Sequence, residues 1–369
     1  MKIAFVHDRI IFNGGAEKVL QDLIKRESFS EATIFTLYAN QKEIKISGKS
    51  IKISSAIPVW IIKSLQRLQA TQLPVIKTIA DYRNFMVIYP ILTTILSLKI
   101  KKYHPDKITI SSFAAVKNCE VESIPTTLYL HSPMQYIREN YEEYKEKFSF
   151  PIKQIFIATA FFLRKRDKKP RNYEKIFFNS EYTAKCAKKI YNLEGAVLYP
   201  KIEKEVEIAE IVSQPENYFL FMGRVVKFVR EVDKIIALAN RLNIPLVIMG
   251  DGPDKKEMQK GAGASVIFTP RIKNRAERYQ VLSKAKGLIN ITKESFGIST
   301  AESLCCGVPV FGLNEGATPE LVNSENGVLI DKKDIDSLSV NFVKFSQKKF
   351  DRQAIKENFI KKLKKHSNR

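Results

Sequence analysis

Short apolar runs that end at glycine or at a polar residue recur along this chain, separated by stretches of helical periodicity, and the rhythm restarts after residue 217. Residues 3–6, 33–37, 107–112, 126–130 and 175–178 read as strands of a first unit. Residues 218–222, 245–249, 265–268, 287–290 and 308–311 read as strands of a second. Between strands, residues 16–26 carry Val19, Leu20, Leu23 and Ile24 on one helical face, and residues 233–242 are helical as well. Such alternation folds as a parallel sheet covered on both faces, and two rounds of it predict an α/β chain of two Rossmann-like domains. A length of 369 residues suits that division, since single cores stop growing at roughly 250–300 residues. The polar segment 201–217 places a linker near 197–215. The predicted parts are 1–197, 198–346 and, at 347–369, a basic amphipathic helix with Phe350, Ala354, Phe359 and Leu363 on one side.

Charge narrows the partners. There are 61 Lys and Arg against 39 Asp and Glu, a formal net charge of +22, which favours nucleic acid, an acidic membrane surface or phosphorylated small molecules. The basic residues lack interleaved aromatics and no nucleic-acid-binding module is recognisable, so no nucleic acid is expected. Cys119, Cys186, Cys305 and Cys306 form no CxxC pair and no zinc spacing, which predicts reduced structural thiols, no metal and a cytoplasmic setting. The first eight residues suit a buried strand, not a signal peptide. No run reaches about 18 apolar residues, so no spanning helix is expected; residues 85–98 and 152–163 come nearest.

The strongest local signal is Glu294-Ser295-Phe296-Gly297-Ile298-Ser299-Thr300-Ala301-Glu302, followed by Cys306-Gly307-Val308-Pro309-Val310. A helix beginning near Ile298 offers unpaired backbone N–H groups and a positive dipole end to a phosphate. Gly297 allows close approach, Glu302 can reach a ribose hydroxyl, and Glu294 can hold sugar hydroxyls. The plainer reading makes Glu302 a helix residue and Glu294 a solvated loop carboxylate. Spacing alone does not separate the two readings; the whole string with its Gly-Val-Pro tail does.

That string resembles the E-x7-E motif of glycosyltransferase family 4, which has the GT-B fold. The resemblance extends along nearly the whole chain. It includes Phe5-Val6-His7-Asp8 with Gly14-Gly15-Ala16-Glu17-Lys18, Tyr129-Leu130-His131-Ser132-Pro133, Asn179-Ser180-Glu181, Leu198-Tyr199-Pro200 and Phe221-Met222-Gly223-Arg224. Bacterial mannosyltransferases of O-antigen and exopolysaccharide assembly are the group it is most similar to. The resemblance implies two domains facing across a cleft, with the C-terminal helix crossing back to the first. It implies a catalytic set of Glu294, His131 and Arg224. Glu294 would hold the donor sugar, Arg224 would neutralise the diphosphate, and His131 would stand at the reacting face. His131 ends a strand, a position expected to be exposed where an open sheet binds ligands. Donor binding would fall to the backbone of Phe296, Gly297 and Ile298, to Glu302 at the ribose, to Gly14 and Gly15 at the sugar phosphate, and to Arg271 and Ile272 beside the base.

Three departures stand out. The family's lysine five residues after the Gly-Arg arginine is Val229 here, so Arg230, or failing it Lys227, would complete the diphosphate clamp. Phe113 stands where relatives often carry histidine. The proline common before the first glutamate is absent from Asn290-Ile291-Thr292-Lys293. The implied reaction is retaining, metal-independent transfer of a hexose, mannose as first guess, from a GDP- or UDP-linked donor to a glycan or lipid-linked acceptor, with no cofactor. Positive charge and a helix dipole would replace a divalent ion. Residues 164–171 and Lys361, Lys362, Lys364 and Lys365 would sit on the anionic inner face of the membrane. The rival reading is a basic nucleic-acid- or membrane-surface-binding protein without transferase activity. A Rossmann oxidoreductase is excluded because Asn13-Gly14-Gly15-Ala16-Glu17 is no G-x-G-x-x-G.

Overall fold

The computed structural model describes residues 1–11, 14–69, 86–167, 173–202, 206, 210–270, 272 and 274–367. The chain divides into two compact units, Met1–Val197 and Leu198–Arg369.

The first unit runs β1 (Lys2–Ile10), α1 (Gly15–Arg26), β2 (Glu31–Ala39), β3 (Glu43–Ile46), β4 (Lys49–Ile57), α2 (Val59–Gln69), α3 (Tyr89–Tyr103), β5 (Lys107–Ser112), β6 (Thr126–Leu130), α4 (Tyr141–Lys147), α5 (Ile152–Arg166), β7 (Lys175–Phe178), α6 (Glu181–Tyr191) and β8 (Ala196–Val197). Its sheet is ordered β3-β4-β2-β1-β5-β6-β7-β8, and only β3 runs antiparallel to its neighbour. The β3–β4 hairpin was not foreseen. Its signals are Ile44, Ile46, Ile51 and Ile53 around Ser47-Gly48, both with positive φ (49° and 80°), the geometry of a tight hairpin turn.

The second unit runs β9 (Phe219–Met222), α7 (Lys227–Arg230), α8 (Val232–Leu242), β10 (Leu246–Met249), α9 (Lys255–Lys260), β11 (Val266–Phe268), α10 (Arg275–Lys284), β12 (Gly287–Asn290), α11 (Ile298–Cys305), β13 (Val310–Leu313), α12 (Thr318–Leu321), β14 (Gly327–Ile330), α13 (Ile335–Gln347) and α14 (Arg352–Ser367). Its sheet order, β11-β10-β9-β12-β13-β14 and parallel throughout, is that of a Rossmann fold. Strand order reverses between β1 and β5 in one unit and between β9 and β12 in the other. The loops leaving these four strands are therefore where each unit can receive a ligand.

Two boundaries change. Residues 347–369 are not one helix: α13 ends at Gln347, Phe350 precedes α14, and the buried stripe of α14 is Ile355, Phe359 and Leu363 rather than one through Ala354. A stripe at i, i+4, i+8 follows the helical period; Ala354 sits a residue out of phase. Within its own unit α14 packs on α11, and Tyr199 stacks on His366 at 4.7 Å. The polar-looking segment after Val197 is also less a linker than its composition suggests, since Leu198, Tyr199, Ile202 and Val206 are all buried. Among the described residues no helix is long and apolar enough to cross a membrane, and no His/Cys/Asp/Glu cluster of metal-binding size occurs.

Candidate active site

In the second unit β12 delivers the glutamate string. The backbone of Glu294 pairs with Gly316 beyond β13, and Ala317 N–H donates to the Glu294 carbonyl at 2.8 Å, so the carboxylate is carried on a pinned loop. Phe296 is buried, its ring 5.1 Å from Tyr199, which leaves the main chain rather than the ring to face a ligand. Gly297 then caps α11 at φ 91°, a left-handed conformation that glycine adopts without cost. As a glycine, the N-cap makes no side-chain hydrogen bond to the first turn, where a helix carries amide donors and a positive dipole end. The glycine of the Gly-Val-Pro tail also has a local cause. Gly307 has φ 70°, and a Cβ there would lie 2.4 Å from the Arg352 carbonyl, where α14 crosses.

The two glutamates differ in environment. Glu294 has a side chain 17% exposed and forms an ion pair with Arg230. Glu302 faces inward: its Oε1 accepts the Tyr279 hydroxyl at 3.1 Å and lies 3.5 Å from Arg278, whose guanidinium also donates to Tyr279 at 2.7 Å. Tyr279 and Arg278 were not foreseen; they lie on α10, in a stretch with no motif of its own. Of the two candidates for the altered clamp, Arg230 lies against Glu294. Lys227 is half-exposed and paired with Glu257 at 3.2 Å. Arg224 is exposed on the loop after β9. Ile272 is half-buried, and Arg271 lies outside the described residues. A concavity of this unit, about 880 Å³, runs between Glu210, Ile211 and α14, and no residue of the glutamate string lines it.

In the first unit the register sets His7 of β1 beside Ser111 of β5, and His131 follows the end of β6. His131 is not exposed, as its strand-end position suggested, but 93% buried, because the loop after β5 and the start of α6 close over it. Its main chain is held by the Ser112 carbonyl (2.8 Å) and by the Thr183 hydroxyl (3.3 Å). Its Nε2 lies 2.8 Å from Ser111 Oγ, and its ring lies 5.0 Å from Tyr129 and 6.3 Å from Phe113. Burial, reinforced by the neighbouring His7, pushes its pKa down to about 3; burial outweighs the attraction of Asp8 and lowers His7 to about 4. Both imidazoles are neutral at physiological pH.

Asp8, next to His7 on β1, holds the loop that follows β5. Its Oδ1 accepts from the backbone N–H of Ala115 (2.6 Å) and Val116 (2.9 Å). Its Oδ2 accepts from Phe113 N–H (2.6 Å), Ala114 N–H (2.9 Å) and the Ser112 hydroxyl (3.1 Å). Gly14 N-caps α1 with extended backbone, and Gly15 opens that helix; Asn13 lies outside the described residues.

Residues 203–362 match the sequence model of the family described as glycosyl transferases group 1. The O-antigen chain mannosyltransferase C of Escherichia coli is 25% identical over 132 residues, 33% of this chain and 35% of that protein. A GDP-mannose-dependent alpha-(1-6)-phosphatidylinositol dimannoside mannosyltransferase of Mycobacterium tuberculosis is 30% identical over 107 residues, 28% of each chain. The chain thus spans about a third of these curated relatives. Similar solved structures include sucrose-phosphate synthase from Thermosynechococcus elongatus (TM-score 0.70, 13% identity, covering 99% of this chain and 94% of that one). Another is Anabaena Alr3699/HepE in complex with UDP and glucose (TM-score 0.60, 16% identity, 99% of each).

Proposed function

We propose that this chain, which has the GT-B fold and whose second unit belongs to the glycosyl transferases group 1, moves a hexose from a nucleoside diphosphate sugar to an acceptor hydroxyl. The observation that carries the reading is Glu294 set beside Arg230 at the start of a helix whose N-cap is Gly297. A carboxylate for sugar hydroxyls, a guanidinium for phosphate oxygens and a dipole end for the diphosphate stand within one loop cluster. Arg224, on the loop after β9, would add a second guanidinium. Glu302 would take the ribose by sharing the donors it now receives from Tyr279 and Arg278. In the first unit, Gly14, Gly15 and His131 are the residues that the resemblance would assign to the donor. Retention, independence from metal and cofactor, GDP-mannose as donor and a lipid-linked glycan acceptor are parts of the proposal, supported by resemblance to the mannosyltransferases above.

Thermal-shift screening against GDP-, UDP- and dTDP-sugars tests it. One nucleotide should raise Tm in proportion to the logarithm of its concentration, as binding to the native state alone requires. The clamp assignment adds a contrast. Arg230→Ala should weaken that nucleotide about tenfold to a hundredfold, the loss of one charge-assisted phosphate contact. Lys227→Ala should change it by less than about threefold, its ammonium being directed to Glu257 rather than to Glu294. Equal losses in the two variants would overturn the assignment, and no shift with any nucleotide would overturn the function.

The membrane part of the reading moves. On α5, Ile155, Phe161 and Phe162 are 62%, 59% and 43% exposed, with Lys165 over the Phe161 ring (4.5 Å) and Arg166 over Phe162 (5.3 Å). On α3, Ile91 and Leu98 are exposed too, and both helices line one cavity of about 310 Å³. Residues 168–171 lie outside the described residues. Lys362 is not on the basic face expected of it: its ammonium reaches inward to the Glu320 carbonyl. The α3–α5 face is the proposed seat on an anionic bilayer, each aromatic contributing apolar burial and each cation roughly 1 kcal/mol. Flotation with phosphatidylglycerol vesicles should lose at least about tenfold in binding for the double variant Phe161→Ser, Phe162→Ser. Unchanged flotation would reject this face.

A further inference from the structure

We propose that Ser111 and His7 are positioning residues that fix His131 as its Nδ1–H tautomer, so that His131 meets substrate as a neutral hydrogen-bond donor and not as a base. Three buried side chains share a fixed number of protons here. His7 Nδ1 lies 2.9 Å from the Ser111 carbonyl oxygen. A carbonyl only accepts, so His7 carries its proton on Nδ1. The same Nδ1 lies 3.1 Å from Ser111 Oγ, which therefore also accepts from it. The hydrogen of Ser111 then has one place to go, His131 Nε2 at 2.8 Å, and that nitrogen must present its lone pair. A neutral imidazole holds a single N–H, so the proton of His131 is on Nδ1.

The reverse arrangement, with N–H on His131 Nε2, would leave the Ser111 hydroxyl hydrogen without an acceptor at a fully buried site, a cost that buried polar groups normally avoid. Burial keeps both rings from charging and so preserves the inventory at neutral pH. Among the described residues His131 Nδ1 has no partner, which makes it the edge left for a ligand oxygen. On the glycosyl-transfer reading, on which this consequence rests, His131 can donate to a sugar hydroxyl or to a departing oxygen. It cannot remove the acceptor's proton through that edge, which fits a reaction in which the leaving phosphate takes it.

The test is nuclear magnetic resonance of the full chain labelled with 15N-histidine and free of substrate. There are only four histidines, and His131→Gln identifies the signals of one. His131 should show a pyrrole-type Nδ1 and a pyridine-type Nε2 at pH 7. A pyrrole-type Nε2, an average of both forms, or an imidazolium would overturn the proposal. Ser111→Ala should convert this pattern to a tautomer mixture and lower kcat about tenfold with little change in donor KM. Ser111→Thr, which restores the hydroxyl, should recover the pattern. An unchanged tautomer, or an unchanged kcat, in Ser111→Ala would overturn the positioning role. If that variant does not fold, the wild-type spectrum alone decides. Because the tautomer is read without substrate, a failed transfer assay leaves it standing, and a wrong tautomer leaves the transferase reading standing.

Discussion

Glu294→Ala is expected to lower sugar transfer about a thousandfold while the fold stays intact. Two effects add. The donor sugar loses a carboxylate that accepts from its hydroxyls, and groups that act only as charge develops are worth about two to three orders of magnitude each in other enzymes. Arg230 also loses the partner that aims it, and a guanidinium off target by about an ångström can forfeit another large factor. Stability should fall by only about 1 kcal/mol, because both side chains keep access to water and partly exposed ion pairs are weak. The check is kcat and kcat/KM on whichever nucleotide sugar stabilises the protein, beside a thermal melt. Glu294→Gln should bind that donor nearly as well but turn over slowly, since an amide keeps one acceptor and loses the charge. Arg230→Ala, Glu294→Ala and the double variant should be strongly non-additive, as residues acting as a unit are. A Glu294→Ala enzyme within tenfold of wild type would remove this residue from the mechanism.

Much of this is legible in the sequence, and the reason is local. Strands 107–112, 126–130, 175–178 and 287–290 agree with the sequence reading because each is a short apolar run cut off by turn residues. The glutamate string was visible because Gly297 and Gly307 are demanded by left-handed backbone, and such demands are written in residue type. What was hidden depends on contacts far apart in sequence. Nothing near Glu302 announces Tyr279, 23 residues earlier; nothing near Asp8 announces amides more than a hundred residues on. Spacing puts Arg230 before Lys227, because Arg230 lies one residue from the position of the family's lysine. What spacing does not show is their carboxylate neighbours, Glu294 for Arg230 and Glu257 for Lys227. His131 was misjudged for a related reason. A strand end in an open sheet is exposed unless another loop covers it, and whether one does is a tertiary matter.

Asp8→Asn is expected to destabilise the first unit by roughly 3–5 kcal/mol, a large part of the roughly 5–15 kcal/mol that holds a domain together. The carboxylate is 2% exposed and accepts five hydrogen bonds, four from successive amides of residues 113–116. An asparagine of the same shape has one oxygen. Whichever way it turns, its NH₂ group faces either the Ala115 and Val116 amides or the group formed by Ser112, Phe113 and Ala114, donor against donor. Asp8→Ala should be no better, because it strands all five donors out of water. The most direct readout is hydrogen exchange at residues 113–116, which should quicken by about a hundredfold or more for a loss of about 3 kcal/mol. Denaturant midpoints would give the same loss over the whole unit. Protection within threefold of wild type would mean the five contacts are worth little. The consequence reaches the chemistry through Phe113, whose ring packs edge-on against His7 at 5.5 Å and His131 at 6.3 Å. If the loop loosens, the wall around the two imidazoles opens to water. His131 would then lose the dry setting that keeps it neutral, and activity should fall before the unit unfolds.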